Sequence, residues 1–479
     1  MRRLNVLMLL AAIAPVGKAA DVLTLAVKQV QVHAGADVPD LVCEKKIAVA
    51  RPPAPANPDP MEIPTDDMLE AMSSPDDAEN APAAYQSPRV PSVRPQSSPG
   101  GFRMAIWGDS HLAAAFFSDE LVKVLRVPGD AVSNVLLPAN MGRAGVRLPI
   151  RRACVSPQWK YEPGYLGRDN TTTPGPGLMN MYGDQAGSML AWDVRKDATA
   201  PGYERVRILY QQTAAPMQVA ISIDGDAEKE VTLDEQAGPA ALELVADRPM
   251  KQVKLRLVDA RFRLHGLELL AKQPNGFQMD VFGYPGATVA GWKSARFDYF
   301  NAWFTQPPQD RQPPYQLVML EFGTNEGNVK PFDLAAYRAT LHESVRNMRT
   351  AFPAAACVLI GPGDRGVLVP RSANIRKKGK KAHGKPARKI DLLQYSRIHA
   401  EINRVQAQVA TEAGCSAWSM QEAMGGPGQA YKWARQSPAL MAPDLIHFTV
   451  AGYQRLAQKF ARDLGWAPLQ ITATAPAAQ

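Results

Sequence analysis

The amino-acid sequence predicts an α/β fold in which a parallel sheet, covered by helices on both faces, is interrupted by an inserted antiparallel β-sandwich. Continuous apolar runs that end in polar turns occur in FRMAIWGDSH, YQLVMLEFGTNEG and ACVLIGPGDR. Runs that alternate apolar and polar residues cluster between the first of these blocks and the second. Continuous apolar strands between amphipathic helices are typical of parallel sheets, whereas short alternating strands are typical of antiparallel sheets with one buried face.

A secretory signal peptide is predicted at residues 1–20. Met1–Arg3 provides a basic start, Val6–Pro15 provides a short apolar run, and small residues lead to a cleavage site after Ala19 or Ala20. The apolar run is too short to span a bilayer well, and no later segment is long enough to do so. A buried N-terminal helix is the alternative for this run. We therefore expect an exported protein, periplasmic or extracellular, without integral membrane association.

Residues 21–100 are expected to form an N-terminal segment and a Pro-rich linker. The stretch 51–100 repeats Pro with Ser, Asp and Ala, so it cannot bury enough apolar surface to offset the entropy of ordering it. Val22–Val49 alternates in the manner of a strand, which fits either a small docking segment or part of a tail.

The length of 479 residues and the apolar fraction of 46% predict two or three domains with a substantial core. The α/β domain is expected at 101–154 and 273–467, with the β-sandwich at 155–272 and a C-terminal tail at 468–479. Alternating runs within the insert are RVRILYQQ, MQVAISIDG, VKLRLVD and HGLELLA. Amphipathic helices are predicted after it in DLAAYRATLHESVRNMRTAF and YSRIHAEINRVQAQVATEAG.

Charge and cysteines leave several alternatives open. The net charge of +8 favours an acidic partner, and no aromatic-basic interleaving points to nucleic acid. The Lys- and Arg-rich run 371–389 is either a solvated loop or a contact with an acidic polymer. The four cysteines, at positions 43, 154, 357 and 415, match no zinc spacing, and the sequence assigns no disulfide bond among them.

Ser110 ends an apolar strand and opens a helix, which exposes its hydroxyl at the carboxyl edge of the sheet. Serine is a weak nucleophile and needs a base that a third group orients. Asp444 and His447 lie three residues apart on a loop before the last helix, so one ring nitrogen can bind the carboxylate while the other faces the serine. Taken alone, either signal is more often a turn or a helix cap.

Two further turns contain candidate donors for an oxyanion. FGYPGATVAGW presents Gly283 and Gly286 after an apolar run, and EFGTNEG presents Asn325 at the end of a strand. A glycine N–H, the Asn325 side-chain amide and the Ser110 N–H are the donors that an acyl-transfer site requires. Tight-turn geometry is the alternative for the glycines, and an Asx-turn is the alternative for Asn325.

The blocks GDSH, GYPGAT, GTNEG and DLIH, in this order, resemble the four signature blocks of the SGNH (GDSL) hydrolases. Ser110, Gly286, Asn325 and His447 fall on the residues that name the family, Asp444 matches its triad acid, and Gly283 remains an alternative glycine. The resemblance implies a three-layer α/β/α fold and hydrolysis of small esters, with no metal or cofactor. The position of the insert is similar to that of a carbohydrate-binding-module-like β-sandwich in exported peptidoglycan O-acetylesterases.

The expected function is therefore a serine esterase that removes O-acetyl groups from a cell-wall glycan such as peptidoglycan. In it, His447 takes the proton of Ser110 and Asp444 orients the imidazole. Asp109 is expected to stabilise the turn, and the His111 side chain is expected to point away from the nucleophile. The alternatives are an esterase or acetyltransferase acting on another polysaccharide, and a non-catalytic wall-binding protein that uses the fold as a scaffold.

Overall fold

The structure is a computed structural model. It describes residues 23–36, 38–43, 61–70, 95, 101–136, 145–168, 173–259, 261–271, 276–294, 297–304, 315–329, 331–371 and 390–469. The predicted signal peptide, most of the Pro-rich linker, the basic run beyond Arg371 and most of the C-terminal tail lie outside these residues.

The strands are numbered in chain order. They are β1 Ala26–Val32, β2 Met61–Glu62, β3 Phe102–Gly108, β4 Val132–Leu136, β5 Arg152–Val155, β6 Lys160–Glu162, β7 Asn180–Gly183, β8 Met189–Asp193, β9 Tyr203–Gln212, β10 Met217–Ile223, β11 Lys229–Leu233, β12 Gly238–Met250, β13 Gln252–Leu257, β14 Phe262–Leu270, β15 Phe277–Gly283, β16 Leu317–Glu321, β17 Ala356–Gly361, β18 Val369–Pro370 and β19 Ser416–Ser419. The α-helices are Asp66–Glu70, Ser110–Ala113, Phe116–Val124, Ala290–Ser294, Phe297–Ala302, Leu334–Ala351, Gln394–Glu412, Met420–Met424, Gln429–Ala434 and Val450–Asp463.

A parallel sheet in the order β4-β15-β3-β16-β17-β19 forms the centre of the α/β domain. Every residue of β3 and β16 is buried, which is the pattern of strands covered on both faces. Alternate β3 residues face opposite layers: Trp107 packs with the helices Leu334–Ala351 and Gln394–Glu412, and Ile106 packs with Phe116–Val124 and Val450–Asp463. The three-layer fold predicted from the sequence is confirmed.

The insert is a sandwich of two antiparallel sheets around one apolar core. Strands β9, β12 and β14 form the inner sheet, and a five-stranded sheet in the order β11-β10-β13-β8-β5 covers it. Ile208 and Leu242 from the inner sheet share a core with Val219 and Leu255 from the outer one. The alternating runs of the sequence lie in β9, β10, β13 and β14.

The inner sheet of the sandwich is continuous with the parallel sheet. Strand β4 pairs in parallel with β15 through Val132 and Ser133, and it pairs antiparallel with β14 through Asn134–Leu136. The insert therefore extends the central sheet of the α/β domain, rather than being attached to it by a loop alone. The outer sheet already begins at β5, so residue 154 lies within a strand of the sandwich.

The N-terminal segment is docked on the insert. Strand β1 pairs in parallel with β12 over its whole length, from Ala26 to Val32. A disulfide bond joins Cys43 to Cys154 in β5, and a second joins Cys357 in β17 to Cys415 just before β19. Each bond closes a long stretch of chain, which restricts the unfolded state and stabilises the fold.

A short part of the predicted linker also has a place in the fold. Met61–Glu62 pairs with β18, and the helix Asp66–Glu70 follows it. The Arg435 guanidinium donates to the carbonyl of Pro64 and forms an ion pair with Asp66. None of the helices formed by the described residues is long and apolar enough to cross a membrane.

Candidate active site

The candidate residues meet at the carboxyl edge of the parallel sheet. Ser110 follows β3, Gly286 follows β15, and Asn325 follows β16. Because the carboxyl ends of parallel strands lie at one edge, side chains in these turns converge. Asp444 and His447 reach the same edge from the loop before the helix Val450–Asp463.

Ser110 is the first residue of the short helix Ser110–Ala113. Asp109 caps this helix, because its carboxylate accepts a hydrogen bond from the His111 N–H at 2.9 Å. The preceding residue, Gly108, must lack a side chain, because an added Cβ would lie 2.5 Å from Oε2 of Glu321. The turn therefore holds the partly exposed hydroxyl of Ser110 at the edge of a fully buried strand.

The structure brings Ser110, His447 and Asp444 into one hydrogen-bonded chain. The Nε2 atom of His447 lies 2.9 Å from Ser110 Oγ, and its Nδ1 atom lies 2.7 Å from Asp444 Oδ2. The other carboxylate oxygen of Asp444 accepts from the backbone N–H groups of Ile446 and His447, each at 2.9 Å. With its proton on Nδ1, the imidazole has a free lone pair on Nε2 for the serine proton.

Electrostatics in the triad favour an ionised acid and a basic imidazole. Partial burial raises the pKa of Asp444, but the hydrogen bonds from His447 and Ile446 outweigh this and lower it to about 2. The hydrogen bond to Asp444 raises the pKa of His447 above its ordinary value. Asp444 is thus a carboxylate at any pH where the imidazole can act as a base.

The two glycines of the predicted oxyanion block have different surroundings. Gly286 is exposed with φ +85°, and nothing lies within 4 Å of an added Cβ. It occupies a turn that the Ala287 N–H closes onto the Tyr284 carbonyl at 3.0 Å, with Pro285 before it, as in a type II turn. Gly283 packs tightly, because an added Cβ would lie 2.6 Å from the Ala113 nitrogen.

The Asn325 amide links two of the turns. Its Nδ2 atom donates to the Ala287 carbonyl at 2.8 Å and lies 3.4 Å from Asp109 Oδ2. The first bond fixes the orientation of the amide relative to the turn that contains Gly286. The second is long for a hydrogen bond, so one N–H of Asn325 remains available for a stronger acceptor.

Residues 260–455 match the GDSL-like Lipase/Acylhydrolase family. The matched region contains Gly286, Asn325, Asp444 and His447, whereas Ser110 lies upstream of it. This region of the chain is similar to GDSL-like lipases and acylhydrolases, and the match supports an esterase. The family resemblance and the enzyme class predicted from the sequence are confirmed.

Several solved structures are similar to this chain, and one of them shares its fold. One described as a peptidoglycan O-acetylesterase in action matches with a TM-score of 0.55 and 21% identity, over 77% of this chain and 92% of the other. A salicylyl-acyltransferase from a tetracycline biosynthetic pathway matches with a TM-score of 0.25 and 13% identity, over 66% and 96%. A family two carbohydrate esterase from Cellvibrio japonicus matches with a TM-score of 0.21 and 13% identity, over 66% and 98%. No curated protein matches the sequence.

A layer of buried carboxyl groups beneath the turns of the esterase was not predicted from the sequence. Asp109 and Glu321 are both fully buried, and the Asp109 N–H donates to Glu321 Oε2 at 3.1 Å. Glu326 accepts from the N–H groups of Val289 and Gly323 at 2.8 and 3.0 Å, so it joins the glycine turn to the Asn325 turn. The available signal was a glutamate at the end of an otherwise apolar strand, in VMLEFGTNEG.

Burial shifts the pKa values of this carboxyl layer upward. It raises the pKa of Asp109 to about 6 and that of Glu326 to about 7. The pKa of Glu321 lies well above its ordinary value, because it is buried and faces Asp109. Burial therefore favours the protonated forms of Asp109 and Glu321, whereas Asp444 favours the ionised form.

The His111 side chain is buried beside the His447 imidazole. Its side chain is 2% exposed, its Nδ1 lies 3.2 Å from Tyr453 Oη, and its ring centre is 5.5 Å from that of His447. Burial lowers the pKa of His111 to about 3, so this imidazole is neutral. Within the described residues, no group of three or more His, Cys, Asp or Glu side chains is arranged to hold a metal ion.

Proposed function

We propose that this esterase removes O-acetyl groups from a cell-wall glycan, peptidoglycan, through a covalent intermediate on Ser110. The observation that carries the proposal is the chain of contacts from Ser110 Oγ to His447 Nε2 at 2.9 Å and from His447 Nδ1 to Asp444 Oδ2 at 2.7 Å. This is the arrangement in which an imidazole activates a hydroxyl while a carboxylate orients the ring.

The reaction has two halves. His447 accepts the proton of Ser110 as Oγ attacks the acetyl carbonyl, and it then gives this proton to the sugar oxygen that leaves. Water next attacks the acetyl-serine with His447 again as base, which releases acetate and restores the serine. Asp444 stabilises the imidazolium that forms in each half.

In both halves the carbonyl oxygen becomes negatively charged. The Asn325 amide and the N–H groups of Gly286 and Ser110 are the donors assigned to it. Asn325 is held by Ala287 at 2.8 Å, so its position is set before substrate arrives. Such preorganised donors cost little reorganisation when charge develops, which is why they contribute strongly to catalysis.

Several features support an acetylated wall glycan as the substrate. The structure that resembles this chain with a TM-score of 0.55 is described as a peptidoglycan O-acetylesterase. The sandwich, predicted at 155–272 and beginning at β5, lies between the two parts of the hydrolase domain predicted at 101–154 and 273–467. A glycan-binding module in that place would be close to the site. The net charge of +8 suits an acidic polymer. Export through the signal peptide 1–20 would bring the enzyme to the wall.

The test is acetate release from O-acetylated peptidoglycan by the wild type and by Ser110→Ala. We expect release by the wild type alone, because the variant lacks the nucleophile. Ser118→Ala is a matched control, since Ser118 is buried in the next helix and donates to the Ala115 carbonyl at 3.0 Å. This control should retain activity.

Other outcomes would change the proposal. Hydrolysis of an aryl acetate but not of peptidoglycan would keep the chemistry and overturn the wall substrate. Acetylated glycan as the product would indicate transfer of acetyl to a sugar instead of to water. If neither the wild type nor Ser110→Ala hydrolysed O-acetylated peptidoglycan or an aryl acetate, a wall-binding protein that uses the fold as a scaffold would be favoured.

A further inference from the structure

Arg365 lies beside the triad, in the GPGDR turn after β17. The next residue, Gly366, donates its N–H to the carbonyl of Leu445 at 3.0 Å, and Leu445 directly follows Asp444. A Cβ added to Gly366 would lie 2.8 Å from Cδ1 of Leu445. On the other side, the Ser396 hydroxyl donates to the Arg365 carbonyl at 3.2 Å. The backbone of Arg365 is therefore anchored to the loop that holds Asp444 and His447.

The Arg365 guanidinium is half-buried and lacks an acidic partner in the described part of the chain. It stacks on the Tyr395 ring with 3.9 Å between the guanidinium carbon and the ring centre. Its Nε and Nη1 atoms are buried and form no hydrogen bond with any described residue. The adjacent acid, Asp364, uses its two oxygens to accept from Gln421 and from the Ala430 N–H. A buried cation without a paired anion is costly unless something else binds it.

In the free enzyme, the positive charge of Arg365 disfavours protonation of His447. It lowers the pKa of His447, against the effect of Asp444. The oxygens of Asp444 are already engaged with His447 and Ile446, so this acid does not pair with the guanidinium. An anion bound to Arg365 would cancel this unfavourable charge and thereby assist formation of the imidazolium.

We propose that Arg365 binds a carboxylate of the substrate next to the ester that Ser110 attacks. The inference rests on the proposed function and narrows its substrate class to acetylated glycans that carry acidic groups. A guanidinium presents paired N–H groups that match the two oxygens of a carboxylate. Beyond Arg365, the run 371–389 contains Lys and Arg but no Asp or Glu, so its composition also favours an acidic substrate.

The first experiment compares O-acetylated peptidoglycan fragments whose peptide carboxylates are free with the same fragments after amidation. We expect the wild type to prefer the acidic fragments in kcat/KM, and Arg365→Gln to lose that preference by about 10- to 100-fold, because bonds to charged groups have this strength. The loss should appear mainly in KM. Arg365→Lys should recover part of it, since it keeps the charge without the planar pair of donors.

Arg462→Gln is the matched control, because Arg462 is exposed near the end of the last helix and away from the triad loop. It should leave the preference unchanged. The proposal would be wrong if Arg365→Gln lost the same factor in kcat/KM on acidic, amidated and aryl esters and also had a lower Tm. Arg365 would then be a structural partner of Tyr395. A wild type with equal kcat/KM on the acidic and the amidated fragments would contradict the proposal as well.

A second experiment separates this inference from the proposed function. N-acetylmuramic acid and N-acetylglucosamine are matched sugars that differ by a lactyl carboxylate, and each is tested as an inhibitor of 4-nitrophenyl acetate hydrolysis. Stronger inhibition of the wild type by the acidic sugar, abolished in Arg365→Gln, supports carboxylate binding even if peptidoglycan is not the substrate. Equal inhibition constants for the two sugars in the wild type would contradict it.

Discussion

Asp444 and Asp109 both lie near the His447 imidazole, and their surroundings shift their pKa values in opposite directions. Asp444 is 46% exposed in its side chain, accepts three hydrogen bonds, and has a pKa lowered to about 2. Asp109 is fully buried beside Glu321 and has a pKa raised to about 6. The residue type is the same, so the difference in pKa follows from hydrogen bonds and desolvation. Asp444 is suited to stabilise a positive charge and Asp109 to hold a turn.

Neutralising each aspartate in turn tests whether the two have separate roles. Asp444→Asn should lower kcat on an aryl acetate about 10⁴-fold, because Ser–His–Asp sites lose roughly that much with their acid. Asp109→Asn keeps a capping side chain and should cost about tenfold or less, since Asn caps helices about as well as Asp. Steady-state kinetics on both variants checks this. Equal losses would show that the two aspartates do not have separate roles.

The next effect concerns the Asn325 amide, which donates to the Ala287 carbonyl at 2.8 Å and lies 3.4 Å from Asp109 Oδ2. Asn325→Ala should lower kcat about 10²- to 10³-fold with little change in KM, because one oxyanion donor contributes that much. Asn328→Ala serves as a control from the following turn, where Asn328 closes a backbone bond to Asn325. A change confined to KM would assign Asn325 to substrate binding instead.

A smaller effect is expected in the pH dependence of stability. The raised pKa of Asp109 means that its stabilising protonated form is fully present below pH 4 and is lost as pH rises through about 6. The side chain that Asp109→Asn introduces cannot ionise, so the variant does not lose this stability. The free energy of unfolding of the variant minus that of the wild type should therefore rise by up to about 3 kcal/mol between pH 4 and pH 8. Urea unfolding at the two pH values measures it. A relative stability that does not vary with pH would mean that Asp109 is not desolvated as described.

The smallest effect is a shift in the pH–rate profile. His447 must be neutral to accept the serine proton, and its pKa is raised by Asp444, so activity should increase with pH through a midpoint above 6.5. Arg365→Gln removes a positive charge that lowers this pKa, so the midpoint should move further upward. The profile of kcat/KM for an aryl acetate checks the direction. A downward shift would contradict the electrostatic contribution of Arg365.

Much of the candidate site could be predicted because its signals are local. Ser110 and Asn325 each end an apolar run at a polar turn, and Asp444 and His447 are three residues apart before an amphipathic helix. Such patterns predict that these side chains lie at the edge of a parallel sheet, even when the residues that they contact are not known. Pattern alone did not separate Gly283 from Gly286, and the structure shows that the two differ in their packing.

The sequence by itself determined the alternation of buried strands and amphipathic helices, the interruption by alternating strands, and the positions of the polar turns. Periodicity and turn chemistry act within a few residues, so they can be inferred from order alone. The tertiary structure decided the two disulfide bonds, the docking of β1 on β12, and the continuity of the sheets through β4. It also decided the Asp109–Glu321 contact and the stacking of Arg365 on Tyr395. These features depend on residues far apart in the chain, and their energies come from packing and desolvation that exist only in the folded state.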